Sequence, residues 1–191
     1  MYWMLRQGRL EIGNRMAVSV QRYPLRNDGV LSTPQPSYGG LPLHAIDAGR
    51  IIVPVHATEA FWLGFSALIP HARIALTVVV STAHGGALDA LTGKRWDERV
   101  PGVLTIPPAT ALDGIPRAEG GMWPLSRCAK APGAPACRRI RLHLMTWADG
   151  SEQEATVFLV LVSPARYRKL SGVDPGPQAQ ETDRFGGYLL P

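Results

Sequence analysis

The sequence predicts a mainly β protein: an antiparallel β-sandwich or open barrel with one short C-terminal helix. Three observations carry this. The 191 residues include 20 Gly and 17 Pro, too many interruptions for long helices, because Pro removes a backbone donor and Gly costs conformational entropy. Ile74 to Ser81 (IALTVVVS) is apolar and β-branched on both faces, the pattern of a strand covered on both sides. Arg139 to Trp147 alternates, with Ile140, Leu142 and Leu144 facing one way and Arg139, Arg141 and His143 the other, as in a strand with one solvated face.

The elements follow in order. Met16 to Tyr23 predicts a first strand, ended by the turn signal Asn27-Asp28-Gly29. Ser32 to Pro42 holds Pro34, Pro36, Gly39 and Gly40 and predicts a loop. Ile51 to His56 is a strand whose Pro54 belongs at an edge or a bulge, since Pro cannot donate to a ladder. Thr58 to Ile69 fits a strand with Phe61, Leu63, Phe65 and Ala67 on one face, although a short apolar run can also be helical. Ala87 to Leu91 predicts a helical turn, and Val103 to Ile106 a strand stopped by Pro107-Pro108. Arg139–Trp147 and Ala155–Val162 make a hairpin around Ala148-Asp149-Gly150. Ser163-Pro164 then opens a helix that Gly172 closes.

This organisation predicts an accessory N-terminal extension over residues 1–15, a single β-rich domain over 16–172 and a polar Pro/Gly-rich tail over 173–191. The tail ends in Phe185, Tyr188, Leu189 and Leu190, apolar enough to dock on the domain or on a partner. Arg6, Arg9, Glu11 and Arg15 occupy the place where a secretion signal needs an apolar stretch. No apolar run is long enough to cross a bilayer as a helix. The cytoplasm is therefore the expected location, with no membrane role.

The net charge is +5, carried mostly by Arg. The densest clusters are Arg138-Arg139-Ile140-Arg141 and Arg166-Tyr167-Arg168-Lys169. Net charge alone speaks to non-specific association. A nucleic-acid surface would need Arg22, Arg26, Arg139, Arg141 and Arg168 on one face beside an aromatic platform. Cys128 and Cys137 flank a Pro/Gly loop and can form a disulfide, though a reducing compartment would keep both thiols free.

No catalytic motif is complete. Gly64-Phe65-Ser66-Ala67 lacks the second Gly of a nucleophile elbow. Gly93-Lys94 lacks the first Gly and the Ser/Thr of a phosphate loop. The histidines His44, His56, His71, His84 and His143 include no pair at the helical spacing of a zinc protease. His56 with Glu59, and His84 with Asp89, Asp97, Glu98 or Asp113, are the candidates for a hydrolytic site. No metal or other cofactor is expected. Five Trp residues stand in a chain that is only 7% aromatic. Trp96 and Trp123 lie in Gly/Pro-flanked segments near Arg95 and Arg127, a combination typical of binding hot spots.

Between residues 51 and 125 the chain resembles a group of uncharacterised bacterial hypothetical proteins. The shared features are Glu59-Ala60-Phe61-Trp62, Asp89-Ala90-Leu91-Thr92-Gly93 with Trp96, and Ile106-Pro107-Pro108 leading to Leu112-Asp113-Gly114-Ile115. Ala111 replaces an aromatic common in that group, and Gly120-Gly121-Met122-Trp123-Pro124-Leu125 replaces an Arg-Gln-aromatic segment. The resemblance implies a strand at Thr58–Ile69 and carries over no catalytic residue.

The leading expectation is a non-catalytic binding or assembly module. It would meet a protein partner, or itself, through its loops and residues 185–190. The first alternative is a hydrolase using His and Asp/Glu from loops. The second is nucleic-acid binding through an Arg-rich face.

Overall fold

The computed structural model describes residues 2–25, 29–70, 72–148 and 151–179. Strands β1 (Trp3–Arg6), β2 (Arg9–Ile12) and β3 (Met16–Pro24) form an antiparallel meander. Gln7 and Gly8 join the first two with φ of 50° and 75°, the positive pair whose twist suits a two-residue hairpin. Residues 1–15 are therefore not an accessory extension. Leu10 and Ile12 are fully buried in the main core, so removing them would open it.

The remaining elements are β4 (His44–Ala45), β5 (Arg50–Pro54), β6 (Glu59–Ala67), β7 (Arg73–Thr82) and β8 (Ala87–Asp89). After them come β9 (Leu104–Ile106), β10 (Ala111–Leu112), β11 (Gly114–Pro116), β12 (Met122–Pro124), β13 (Cys137–Ala148) and β14 (Ser151–Val162). The helix α1 (Pro164–Ser171) comes last. The smaller sheet has the order β1-β2-β3-β6-β10. The larger runs β4-β5-β14-β13-β7-β8, with β9 also on β7. A ribbon of β11 and β12 stands beside them.

Side chains from both sheets meet in one core. Val18, Val20, Leu63 and Phe65 come from the smaller sheet; Leu76, Val78, Leu142 and Leu159 come from the larger. Neither sheet closes into a barrel among the described residues. The protein is thus mainly β, built on antiparallel sheets with one short C-terminal helix. Among the described residues the exception to antiparallel pairing is β5 with β14, which is parallel, Ile51 opposite Leu159 and Val53 opposite Leu161.

β7 is central, between β13 on one side and β8 and β9 on the other, as its two apolar faces require. The β13–β14 hairpin pairs Ile140 with Leu159 and Leu142 with Val157. Its predicted turn at Asp149-Gly150 lies outside the described residues, as does most of Asn27-Asp28-Gly29. β6 has its apolar side, Phe61, Leu63 and Phe65, in the core and Trp62 on the other face. Pro54 is the last residue of β5, past the reach of β4, which pairs only with Ile51 and Ile52.

Ala87–Asp89 is a strand rather than a helical turn. The edge of β7 offers Val79, Val80 and Ser81 as partners, and that long-range ladder overrides the weak local preference. α1 is capped as expected: Ser163 Oγ accepts from Arg166 N–H, and Gly172 adopts a left-handed φ of 71°. The segment that follows is not a free tail as far as Ala179. Pro175 and Ala179 are buried against the domain. Phe185, Tyr188, Leu189 and Leu190 lie outside the described residues.

Candidate functional site

Trp123 is presented by the β11–β12 ribbon, where it pairs with Ile115. The ribbon can form because Gly114 has no side chain: a Cβ there would stand 2.4 Å from the Trp123 carbonyl oxygen. Gly93 packs on the ribbon under the same constraint. Its φ is +71° and a Cβ would meet the Pro116 oxygen at 2.0 Å. The result is a groove of about 430 Å³ lined by Trp123, Arg117, Glu119, Pro116, Pro132 and Pro135, among others. Prolines restrict the backbone of these walls.

The arginine at Trp123 is not Arg127 but Arg117. Its guanidinium lies 4.3 Å from the ring centroid, within the range of a cation–π contact. Arg117 Nη2 stands 3.6 Å from Glu119 Oε2, while Nε is buried without an acceptor among the described residues. Arg127 is tied elsewhere, donating from Nε to the Val55 carbonyl at 3.1 Å.

Trp96 occupies a different depression, lined by Arg95, Trp96, Asp97, Glu98 and Arg99. The cation over its ring is Arg141 of β13, at 4.9 Å, rather than the neighbouring Arg95. Arg139 lies 5.0 Å over Phe158 on the same outer face of the larger sheet. The other arginines named for a nucleic-acid face are elsewhere. Arg22 is on β3 of the smaller sheet and Arg168 pairs with Asp174 at 2.7 Å. Arg26 lies outside the described residues.

His56 and Glu59 are adjacent, but through the main chain: His56 N–H donates to Glu59 Oε2 at 3.3 Å. The His56 Nε2 atom is buried without a partner among the described residues. Glu59 itself is fully buried. Its Oε1 accepts from Ala179 N–H at 2.6 Å and faces Arg22 Nη1 at 3.6 Å. His84 is exposed on the turn between β7 and β8.

Asp89 is 3% exposed. Its Oδ1 accepts from Leu91 and Thr92 N–H at 2.8 and 3.1 Å, and its Oδ2 from Gly102 N–H at 2.6 Å. That carboxylate organises the loop after β8. Asp97 is paired with Arg99 and Glu98 is exposed. Asp113 is partly buried, which raises its carboxyl above the ordinary carboxylate range. Among the described residues no group of three or more His, Cys, Asp or Glu is arranged to hold a metal ion. His71 lies outside them.

Cys128 and Cys137 are free thiols, the reduced one of the two states the sequence allows. Cys137 is fully buried at the start of β13, its N–H bonded to the Ser126 carbonyl, and belongs to the main core. Burial pushes its thiol from the ordinary 9.0 up to about 11. A thiol reagent at pH 8 is therefore expected to modify half-buried Cys128 in the native protein and Cys137 only after denaturation. Burial also raises the Tyr23 hydroxyl. Both groups hold their protons more tightly when folded. The Cys137 contribution to stability is complete below the unfolded thiol value and is lost as pH rises through about 11, and that of Tyr23 is lost at higher pH still. Denaturant melts from pH 7 to 11 should show a flat region and then a decline above about 9.

No family model, curated protein or solved structure matches the chain.

The sequence singled out Trp123 but missed Arg117 and Glu119. A weak signal was present: Gly120-Gly121 lies between Arg117 and Trp123, a reversal that folds one back on the other. Nothing local pointed to Arg22 as the partner of Glu59.

Proposed function

We propose that this protein is a non-catalytic binding module that engages an acidic, extended segment of a partner protein in the Arg117–Trp123 groove. The observation that carries the reading is the Arg117 guanidinium stacked at 4.3 Å over Trp123 on a groove walled by Pro116, Pro132 and Pro135. Trp and Arg are the residues that most often dominate interface energetics. Rigid walls lower the ordering cost of binding. The Arg117 side chain is 21% exposed, with Nη2 3.6 Å from Glu119 Oε2, and its terminal N–H groups would donate to a partner carboxylate or carbonyl. The +5 net charge favours the approach of an anionic segment. The groove volume of about 430 Å³ suits a few side chains of such a segment.

The test is an NMR titration of the Trp indole N–H signals with Glu/Asp-rich peptides and with Lys-rich peptides of equal length. Trp123, assigned with Trp123→Phe, should shift with the acidic peptides alone. Trp123→Ala should weaken binding by about thirtyfold, the value of a hot spot worth about 2 kcal/mol. Arg117→Met should weaken it as well. Equal shifts of all the indoles, or indifference to both substitutions, would remove the proposal.

A further inference from the structure

Two main-chain groups of the segment after α1 are bonded to side chains of the smaller sheet. Arg22 Nη1 donates to the Pro177 carbonyl at 2.7 Å, and Ala179 N–H donates to Glu59 Oε1 at 2.6 Å. In an extended chain the carbonyl of one residue and the N–H of the second residue along point to the same side. The Arg22–Glu59 pair therefore grips the segment as a neighbouring strand would. Its two ends are charged, which strengthens each bond relative to a neutral one. Main-chain recognition of this kind gives affinity, and side-chain pockets give selectivity.

Side-chain burial accompanies the main-chain grip. Ala179 is 2% exposed and belongs to the cluster of Tyr23, Leu31, Tyr38 and Ala60 on the outer face of the smaller sheet. Pro175 is buried as well. Trp62 and Leu25 pack against the same cluster. The clasp and the residues around Ala179 belong to β3, β6 and the loops beside them, whereas the segment they hold arrives from the far end of the chain. Gly172 and Gly176, with φ of 71° and 82°, bracket the connection. Such positions absorb the backbone changes of a hinge.

We propose that the Arg22–Glu59 clasp is a peptide-accepting site and that the segment 175–179 of its own chain is a displaceable strap occupying it. The site reads an extended backbone with a small apolar residue at position 179 and a proline at 175. The tethered segment competes at an effective concentration on the order of millimolar, so a free segment gains access only when the tether lets go.

The experiment uses the full-length chain. Ala179→Pro deletes the N–H that Glu59 accepts, and Ala179→Asp places a second carboxylate beside Glu59; each empties the clasp from the tail side. Near-UV circular dichroism verifies that the β domain is retained. A capped, fluorescent peptide of residues 173–179 is then titrated. It should bind both variants at least about tenfold more tightly than it binds the wild type, because the competing tether is gone. The same peptide carrying Pro at position 179 should not bind. Absence of saturable binding to both variants overturns the proposal. So does equal binding of the two peptides, which would mean the main-chain grip is not used. Equal affinity for wild type and variants overturns it too, because the segment would then not be a competing strap.

Discussion

Glu59→Ala is expected to lower the unfolding free energy by about 3–5 kcal/mol, the usual cost of removing one member of a buried ion pair. Glu59 is fully buried and the Arg22 side chain is 16% exposed, so solvent screens the pair only weakly. The substitution strands the Arg22 guanidinium, whose Nε already lacks a partner among the described residues. It also leaves the N–H groups of His56 and Ala179 without their acceptor. Glu59→Gln keeps an acceptor and should cost less. Equilibrium unfolding in urea measures both. In an Ala179→Pro background the loss on Glu59→Ala should shrink, because one of the stranded donors is already absent. A loss below about 1 kcal/mol in the wild-type background would mean that the pair behaves like an exposed one.

Asp89→Ala is the second large effect, at least about 3 kcal/mol. Three backbone N–H groups, of Leu91, Thr92 and Gly102, lose a charged acceptor, and bonds to charged groups contribute about 1.5–3 kcal/mol each without strict additivity. Gly102 approaches so closely that a Cβ there would be 2.7 Å from Asp89 Oδ1, so no bulky residue can take over the contact. Both carboxylate oxygens are used. Asp89→Asn therefore retains only one acceptor oxygen and should fall between the wild type and Asp89→Ala. Thermal unfolding followed by circular dichroism is a sufficient readout. Wild-type stability in Asp89→Ala would release this carboxylate from its structural role and return it to the pool of reactive groups.

The legibility of the chain follows the reach of its determinants. β7, β13 and β14 carry their burial pattern in their own residues, so periodicity was enough to find them. α1 was legible for the same reason, since Ser163, Pro164 and Gly172 act within one turn of its ends. β8 was not, because Ala87–Asp89 becomes a strand only through the edge that β7 offers it. β1 and β2 are interrupted by Arg6, Arg9 and Glu11, which hide their apolar residues. Yet Leu10 and Ile12 sit in the core while Arg9 and Glu11 alternate with them.

The site divides along the same line. Trp96 and Trp123 stood out by residue type and loop context. Their cations did not: Arg141 reaches Trp96 from another strand, and Arg117 reaches Trp123 across a ribbon. The pairing of Glu59 with His56 was visible as a spacing, but the use of Glu59 depends on Arg22 and Ala179, which no local window contains.

The parallel contact between β5 and β14 also sets an order of events during synthesis. Arg50–Pro54 must wait for Phe158–Val162 before its register can be made. At a translation rate of about 5–20 residues per second the delay is on the order of ten seconds. Through that interval the nascent chain carries Ile51, Ile52 and Val53 without their final neighbour. The flanking residues limit the hazard: Arg50 supplies a charge and Pro54 lacks a donor, the two kinds of residue that discourage unpaired apolar strands from joining other chains. The last long strand of the protein thus acts as the release signal for one of its first.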